Sequence, residues 1–197
     1  MAPRPALVLA STSRYRRELL ERLRLPFTVQ APEVDESPLA DESPAATAQR
    51  LALAKANAVA RVHPHAVVIG SDQVAELDGL AIGKPGSHER AVAQWRAMSG
   101  RTVMFHTAVA VLCLGKRFEA EALVPVTVRV RQLAGHEIEH YLRTEQPYDC
   151  AGSAKAETLG IALLDAIESD DPTALVGLPL IRTCAMLRAV GLDPLRP

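Results

Sequence analysis

Leu7-Val8-Leu9-Ala10-Ser11-Thr12-Ser13-Arg14-Tyr15-Arg16-Arg17-Glu18-Leu19-Leu20 is the stretch that decides the fold. Leu7 to Ala10 is a short apolar run of strand length. Ser11, Thr12 and Ser13 are turn and N-cap residues. Leu19, Leu20 and Leu23 then fall on one helical face. The pattern predicts a buried strand, a hydroxyl-rich turn and a helix. The charge is unusual. Arg14, Arg16 and Arg17 occupy the first turns, where the helix dipole is positive and each cation costs about 0.3–1 kcal/mol. No acid precedes Glu18 in this helix. Backbone N–H groups, three hydroxyls and three guanidiniums together form an anion site, for which phosphate is the natural occupant. The plain alternative is a solvated basic helix start whose arginines pair with distant acids.

Outward from that turn, strands and helices alternate. Pro26 to Ala31 reads as a strand, and Glu33-Val34-Asp35-Glu36 follows with three acids in four residues. Ser43 and Pro44 form an N-cap and N1 pair for an alanine-rich helix to Val62 that carries Arg50 and Lys55. Ala66-Val67-Val68-Ile69-Gly70 is a continuous apolar run, the mark of a strand covered on both faces. It is expected to end at Ser71-Asp72-Gln73. Ligands in open α/β sheets bind just beyond the carboxyl ends of strands, so an acid there is a functional candidate. Val74 to Leu77 and Leu80 to Ile82 flank Asp78-Gly79 as a hairpin. Gly83-Lys84-Pro85-Gly86 is a tight loop presenting a lysine. Ser87 caps a helix to Met98, closed by Gly100. Long strands are expected over Val103–Leu114 and Ala122–Val130, and a helix over Gly135–Thr144. A strand over Ile161–Ile167 and a last helix over Leu178–Val190 complete the chain. The alternation predicts α/β architecture with a mixed sheet flanked by helices.

The totals narrow the function. The 197 residues, 48% hydrophobic and 23% charged, suffice for one domain, or one domain of two lobes, with a full core. A net charge of −1 argues against a nucleic-acid coat protein. Aromatics are only 4%, so each one near a site matters. Cys113, Cys150 and Cys184 are odd in number and far apart, and suggest neither a disulfide framework nor a zinc knuckle. No apolar run reaches membrane-spanning length, and the N-terminus has no signal-peptide pattern. A soluble cytoplasmic protein without membrane or nucleic-acid partners is expected.

Three features have complementary chemistry. The Ser/Arg turn suits phosphates. Lys55 and Lys84, on separate elements, can neutralise more phosphate charge. Glu33 to Glu36 and Asp72 are acids near strand ends, and their hard oxygens suit Mg²⁺ or Mn²⁺. Together these are the parts for phosphoanhydride hydrolysis. There is no Walker A loop. Taken singly, Asp72 also reads as a turn residue, and the two lysines as solvated. His136-Glu137-Ile138-Glu139-His140 matches the H-E-x-x-H zinc-peptidase pattern. No third ligand is evident, and an amphipathic helix with acids in its first turn explains it better.

The chain resembles the Maf family of nucleoside triphosphate pyrophosphatases over nearly its whole length. The segments carrying the resemblance are Leu9 to Arg17, Ile69-Gly70-Ser71-Asp72-Gln73, Gly83-Lys84-Pro85, Ser99-Gly100, Cys150-Ala151-Gly152-Ser153 and Val176-Gly177-Leu178-Pro179. More narrowly it resembles the YceF-type subfamily, which acts on 7-methyl-GTP. The subfamily that takes dTTP and UTP has Ala-Asp-Thr at Ser71-Asp72-Gln73, arginine at Tyr15 and glutamine at Glu157. The YceF type has an aromatic, a glutamine and a glutamate there, as here.

The resemblance implies an elongated two-lobed α/β fold, similar to the ITPases, with a central cleft. It implies hydrolysis between the α and β phosphates with a divalent cation, as a house-cleaning activity. Asp72 is then the catalytic acid/base residue or holds the metal. Ser11, Ser13, Arg16, Lys55 and Lys84 lie around the phosphates, and Glu36 joins Asp72 at the metal. The family usually has proline where this chain has Arg14, a change that removes a preset helix entry and adds a cation. A homodimer is compatible with the resemblance. The base-specificity positions also have a physical reading. A 7-methylguanine ring is cationic, and the Tyr15 face attracts cations, worth about 0.5–2 kcal/mol. Glu157 can accept both N1–H and N2–H₂ with charge assistance. Gln73 is expected to read the remaining polar edge. The alternatives are the same chemistry on dTTP, UTP or another modified nucleotide, and a nucleotide-binding regulator of septum formation with little turnover.

Overall fold

The computed structural model describes residues 4–196. Its centre is a seven-stranded mixed sheet in the order β2-β1-β3-β5-β6-β7, with β4 pairing β3. The elements are β1 (Leu7–Ala10), α1 (Arg14–Glu21), β2 (Thr28–Gln30), α2 (Pro44–Val62), β3 (Val67–Leu77), β4 (Leu80–Ile82) and α3 (His88–Met98). There follow β5 (Thr102–Cys113), β6 (Phe118–Val130), α4 (Gly135–Glu145), β7 (Leu164–Glu168) and α5 (Leu180–Ala189). Five helices flank one open α/β sheet.

β1 runs parallel to both β2 and β3. The chain leaves β1 through α1 to one side and later reaches the other side through α2. That reversal makes the carboxyl end of β1 a topological switch point, where a crevice opens. Side-chain alternation sets the faces. Leu7, Leu9, Val67 and Ile69 pack with Leu19 and Leu20 of α1 and Leu187 of α5. Val8, Ala10 and Val68 face Ala56, Val59 and Ala60 of α2. A separate core fills the far end of the sheet. There Ala75, Phe105, Val126 and Val128 pack with Trp95 of α3 and Ile138, Tyr141 and Leu142 of α4.

α2 lies unusually close to the sheet. Its inner stripe, Ala48, Ala52, Ala56 and Ala60, recurs every four residues and is fully buried. Opposite it stands Gly70. A Cβ there would overlap the Ala52 carbonyl oxygen and lie 2.5 Å from the Ala56 amide nitrogen. The small residues on both sides are what let this helix settle beside Asp72, two residues along the same strand face.

The structure corrects the sequence expectation for β3. The strand does not end at Ser71-Asp72-Gln73 but runs unbroken through them to Leu77. The polar triplet reads as a turn, yet β5 pairs it residue for residue, Ser71 to Val109, Asp72 to Ala108 and Gln73 to Thr107. Tertiary pairing overrides the local pattern. The parallel partner β1 does stop opposite Gly70, and β4 ends opposite Ala75. Between them, Ser71 to Val74 have a strand on one side only, and the cleft opens at this gap. Three smaller differences remain. β6 starts at Phe118 rather than Ala122, because it pairs with β5 as far as Cys113. Leu159–Leu163 form a 3₁₀ turn, so β7 begins only at Leu164. The last helix begins at Leu180, after a loop turns through Gly177.

Candidate active site

The hydroxyl turn is built by its own side chains. Ser13 is the N-cap of α1 and accepts from the Arg16 amide at 3.4 Å. Ser11 Oγ accepts from the Ser13 amide at 3.1 Å and from Arg16 Nη1 at 3.4 Å. Both hydroxyls act as acceptors within the turn, which leaves their hydrogens to donate to an incoming anion. Arg16 is held from two sides. Its Nε donates to the Gly177 carbonyl at 2.9 Å, and its Nη2 lies 3.9 Å from Asp72 Oδ1. Burial pushes the Arg16 pKa down, and the charges of Asp72 and Glu36 oppose that shift.

Lys55 is the buried centre of a charge cluster. It is only 4% exposed. Its Nζ donates to Asp72 Oδ1 at 2.6 Å and to Glu36 Oε1 at 2.8 Å. For Glu36, burial opposes ionisation. The hydrogen bond and charge of Lys55, with Lys84 and Arg16, outweigh it and hold the carboxyl below its ordinary value. The loop carrying Glu36 is strapped to α2. Arg50 Nε and Nη2 bind both oxygens of Glu42 at 2.6 and 2.8 Å, and Arg50 Nη2 reaches the Ser37 carbonyl at 3.1 Å. This bidentate pair fixes the segment around Glu36.

These groups line a cleft of about 680 Å³. Of the residues singled out from sequence, Ser11, Ser13, Tyr15, Arg16, Glu36, Lys55, Asp72, Gln73 and Lys84 all face it. Glu157 does not. It lies in an adjoining recess of about 100 Å³ that shares Ser13, Tyr15, Arg16, Gln73 and Lys84 with the cleft. The sequence thus brings one polar crevice together from α1, α2, β3 and three loops.

The recess has a different construction. Gln73 Nε2 donates toward Thr107 Oγ1 at 3.0 Å and the Ala174 and Leu175 carbonyls at 3.0 and 2.9 Å. Carbonyl partners accept only, so the amide nitrogen is committed to the protein and the oxygen is left to meet a ligand. Gln73 is therefore an acceptor at this edge. The segment bearing Glu157 is anchored in the far core. Tyr141 Oη and Trp95 Nε1 donate to the Ser153 carbonyl at 2.8 and 3.3 Å, and the Lys155 amide donates to Tyr141 Oη at 3.1 Å. Glu157 itself stays exposed at the mouth.

Several contributors escape sequence reasoning. Asp171, fully buried, accepts from the amides of Ile181 at 2.7 Å and Arg182 at 3.2 Å. It thereby satisfies the start of α5 from ten residues upstream, too far for a local cap signal. Its other oxygen binds the Thr173 hydroxyl at 2.8 Å. This organises the loop whose Ala174, Leu175 and Gly177 carbonyls hold Gln73, Arg16 and Ser71. Gly177 has φ 116° and lies against Arg16, so a side chain there is strained. Asp149 borders both compartments, and nothing in its loop sequence marks it.

The H-E-x-x-H stretch is structural. Glu137 accepts from the Ala134 amide at 2.8 Å and from Arg131 at 2.9 Å. Glu139 binds His88 and Arg143, and His136 and His140 are exposed. Among the described residues no three His, Cys, Asp or Glu side chains gather as a metal cluster. Nor is any helix long and apolar enough to cross a membrane.

Comparison with known proteins places the chain in a family. The chain is 68% identical over 185 residues to the 7-methyl-GTP pyrophosphatase of Polaromonas sp. strain JS666, covering 94% of this chain and 84% of that one. It is 64% identical to the protein of the same name from Albidiferax ferrireducens, covering 96% and 95%. It is 60% identical to that of Bordetella pertussis, covering 97% and 95%. Among solved structures it aligns with the Staphylococcus aureus Ham1 protein at TM-score 0.46 and 15% identity, over 64% of this chain and 72% of that one, a likeness too distant to build on. The family described as Maf-like protein matches residues 6–190, and this chain belongs to it.

Proposed function

We propose that this protein hydrolyses 7-methyl-GTP to 7-methyl-GMP and diphosphate. The observation that carries the reading is the join between the two compartments. A cationic, carboxylate-bearing cleft opens directly into a recess holding an aromatic face, an amide oxygen and a carboxylate. The names of relatives at 60–68% identity support the same substrate.

In this reading the triphosphate lies in the cleft. Arg16, Lys55 and Lys84 draw charge from the β and γ phosphates, and the Ser11 and Ser13 hydroxyls donate to the phosphate oxygens. Asp72 accepts a proton from a water. The water oxygen bonds to the α phosphorus as the bond from that phosphorus to the bridging oxygen breaks. The electron pair leaves with diphosphate, whose charge the same cations balance. Lys55 has a second role. Its ammonium, bonded to both Asp72 and Glu36, holds the two carboxylates in place. Tyr15 stacks on the cationic base, Glu157 accepts from the donor edge and the Gln73 oxygen accepts beside it.

A divalent cation fits the donor set. Asp72 and Glu36 offer hard oxygens, and an ion of the Mg²⁺ type usually takes one or two carboxylates with the rest from phosphate and water. The absence of a larger ligand cluster among the described residues suits an ion that arrives with the nucleotide. Bound there, it would supply charge neutralisation and polarise the phosphate oxygens.

The test is diphosphate release from a panel of 7-methyl-GTP, GTP, UTP and dTTP, with and without Mg²⁺ or Mn²⁺. The expected result is highest kcat/KM on 7-methyl-GTP, abolished by chelator. Turnover of UTP or dTTP with none of 7-methyl-GTP would overturn the base assignment. Tight nucleotide binding without turnover would point instead to a regulator.

A further inference from the structure

Arg14 stands beside the base recess and belongs to neither the phosphate contacts nor the base contacts described above. Its guanidinium carbon lies 4.7 Å from the centroid of the Tyr15 ring, within cation–π range. Its Nη2 also donates to Tyr15 Oη at 2.6 Å. Arg14 borders the large cleft but not the recess, whereas Tyr15 borders both. The ring therefore stands between the two compartments, with Arg14 lining only the cleft and Glu157 lining only the recess. The Cys150 thiol lies 3.5 Å from the same phenol oxygen and helps hold the ring.

We propose that Arg14 is a specificity-tuning residue that weakens the preference of the Tyr15 ring for a cationic base. The inference rests on the reading of Tyr15 as the base platform. An aromatic ring attracts cations through the electron density of its faces. A guanidinium on one face draws on that density and leaves the opposite face a poorer cation receptor. It also repels a positive base across the ring, at a separation well inside a Debye length. A neutral guanine base feels neither penalty. Arg14 thus narrows the gap between 7-methyl-GTP and GTP while keeping Tyr15 oriented through its hydrogen bond. Any help it gives the phosphates is common to both nucleotides and cancels in their ratio.

The experiment measures kcat/KM for 7-methyl-GTP and for GTP in parent, Arg14→Gln, Arg14→Lys and Tyr15→Leu. Arg14→Gln removes the charge and keeps a donor for Tyr15 Oη. The ratio of 7-methyl-GTP to GTP is expected to rise roughly three- to tenfold in Arg14→Gln. In Arg14→Lys, which restores a cation, it should stay near the parent value. In Tyr15→Leu it should collapse toward one. An unchanged or lower ratio in Arg14→Gln, with the collapse in Tyr15→Leu intact, overturns the tuning role alone. A ratio unmoved by Tyr15→Leu overturns the platform reading and the tuning role with it. Arg14 is exposed on the first turn of α1, so its replacement leaves the core untouched, and circular dichroism of each variant confirms the fold.

Discussion

The two ends of the crevice are built on opposite principles. At the phosphate end, the three central charges are buried or nearly so and pinned by regular elements, while Glu36 and Lys84 join them from loops. Lys55 comes from the middle of α2, Asp72 from the middle of β3 and Arg16 from the first turn of α1. At the base end, the groups are neutral or exposed and are held by loops. Gln73 leans on the Ala174 and Leu175 carbonyls, and Glu157 sits on a segment fastened to Trp95 and Tyr141. A buried charge tolerates little displacement, because an unpaired partner costs several kcal/mol. A loop-held recess can be re-cut without moving the scaffold. One end is thus suited to fixed chemistry, the other to choice of base.

The largest effect should follow from striking the phosphate end. Asp72→Asn keeps the shape but removes the proton acceptor, and kcat is expected to fall about 10²–10⁴-fold. Diphosphate release under single turnover checks it. A kcat within tenfold of the parent would make Asp72 a spectator. Nucleotide affinity should not fall in parallel, since removing one negative charge beside Lys55 leaves the cations free for phosphate.

Gly70→Ala tests how the pinned end depends on close packing. The added Cβ meets the α2 backbone at Ala52 and Ala56, atoms that cannot rotate away. α2 must shift, at a cost of about 1–3 kcal/mol, and Lys55 moves with it. Thermal denaturation should show a lower Tm and kinetics a lower kcat, with the 7-methyl-GTP to GTP ratio unchanged. A changed ratio would show that the two ends are coupled after all.

At the base end, Glu157→Gln removes one charge-assisted acceptor from an exposed site. Charged hydrogen bonds contribute about 1.5–3 kcal/mol when desolvated. A drop of roughly tenfold in kcat/KM for 7-methyl-GTP is expected, carried by KM, with Tm unmoved. A loss in kcat alone would place Glu157 in the chemistry rather than in recognition.

The same contrast decides what was legible in the sequence. The phosphate end was readable because its signals are local. Ser13 before Arg14-Tyr15-Arg16 is a cap, the alanine stripe has helical period, and Asp72 follows an apolar strand. The strand's continuation past Asp72 was not readable, since only the pairing with β5 reveals it. The triad Tyr15, Gln73 and Glu157 came from family resemblance, and nothing local unites residues so far apart in the chain. Asp171 remained hidden for the same reason, and the resemblance marked Gly177 without showing what it holds. Their work is to hold a loop whose partners lie more than a hundred residues away.

The smallest effect concerns the strap of the phosphate end, Glu42 with Arg50. The Arg50 hydrogen bonds outweigh desolvation and, with Thr47 and the Leu39 amide, bring the Glu42 carboxyl down from its ordinary 4.5 to about 2. The folded chain therefore holds this proton less readily than the unfolded chain. The stabilisation is complete above about pH 4.5. It shrinks as the unfolded carboxyl protonates below that value, and it is gone once pH falls through about 2. Urea unfolding of parent and Glu42→Gln between pH 6 and pH 2 reads the difference directly. The parent should be more stable at pH 6, and the gap should close steadily below pH 4.5. A gap that stays constant to pH 2 would mean the strap acts by shape and not by charge.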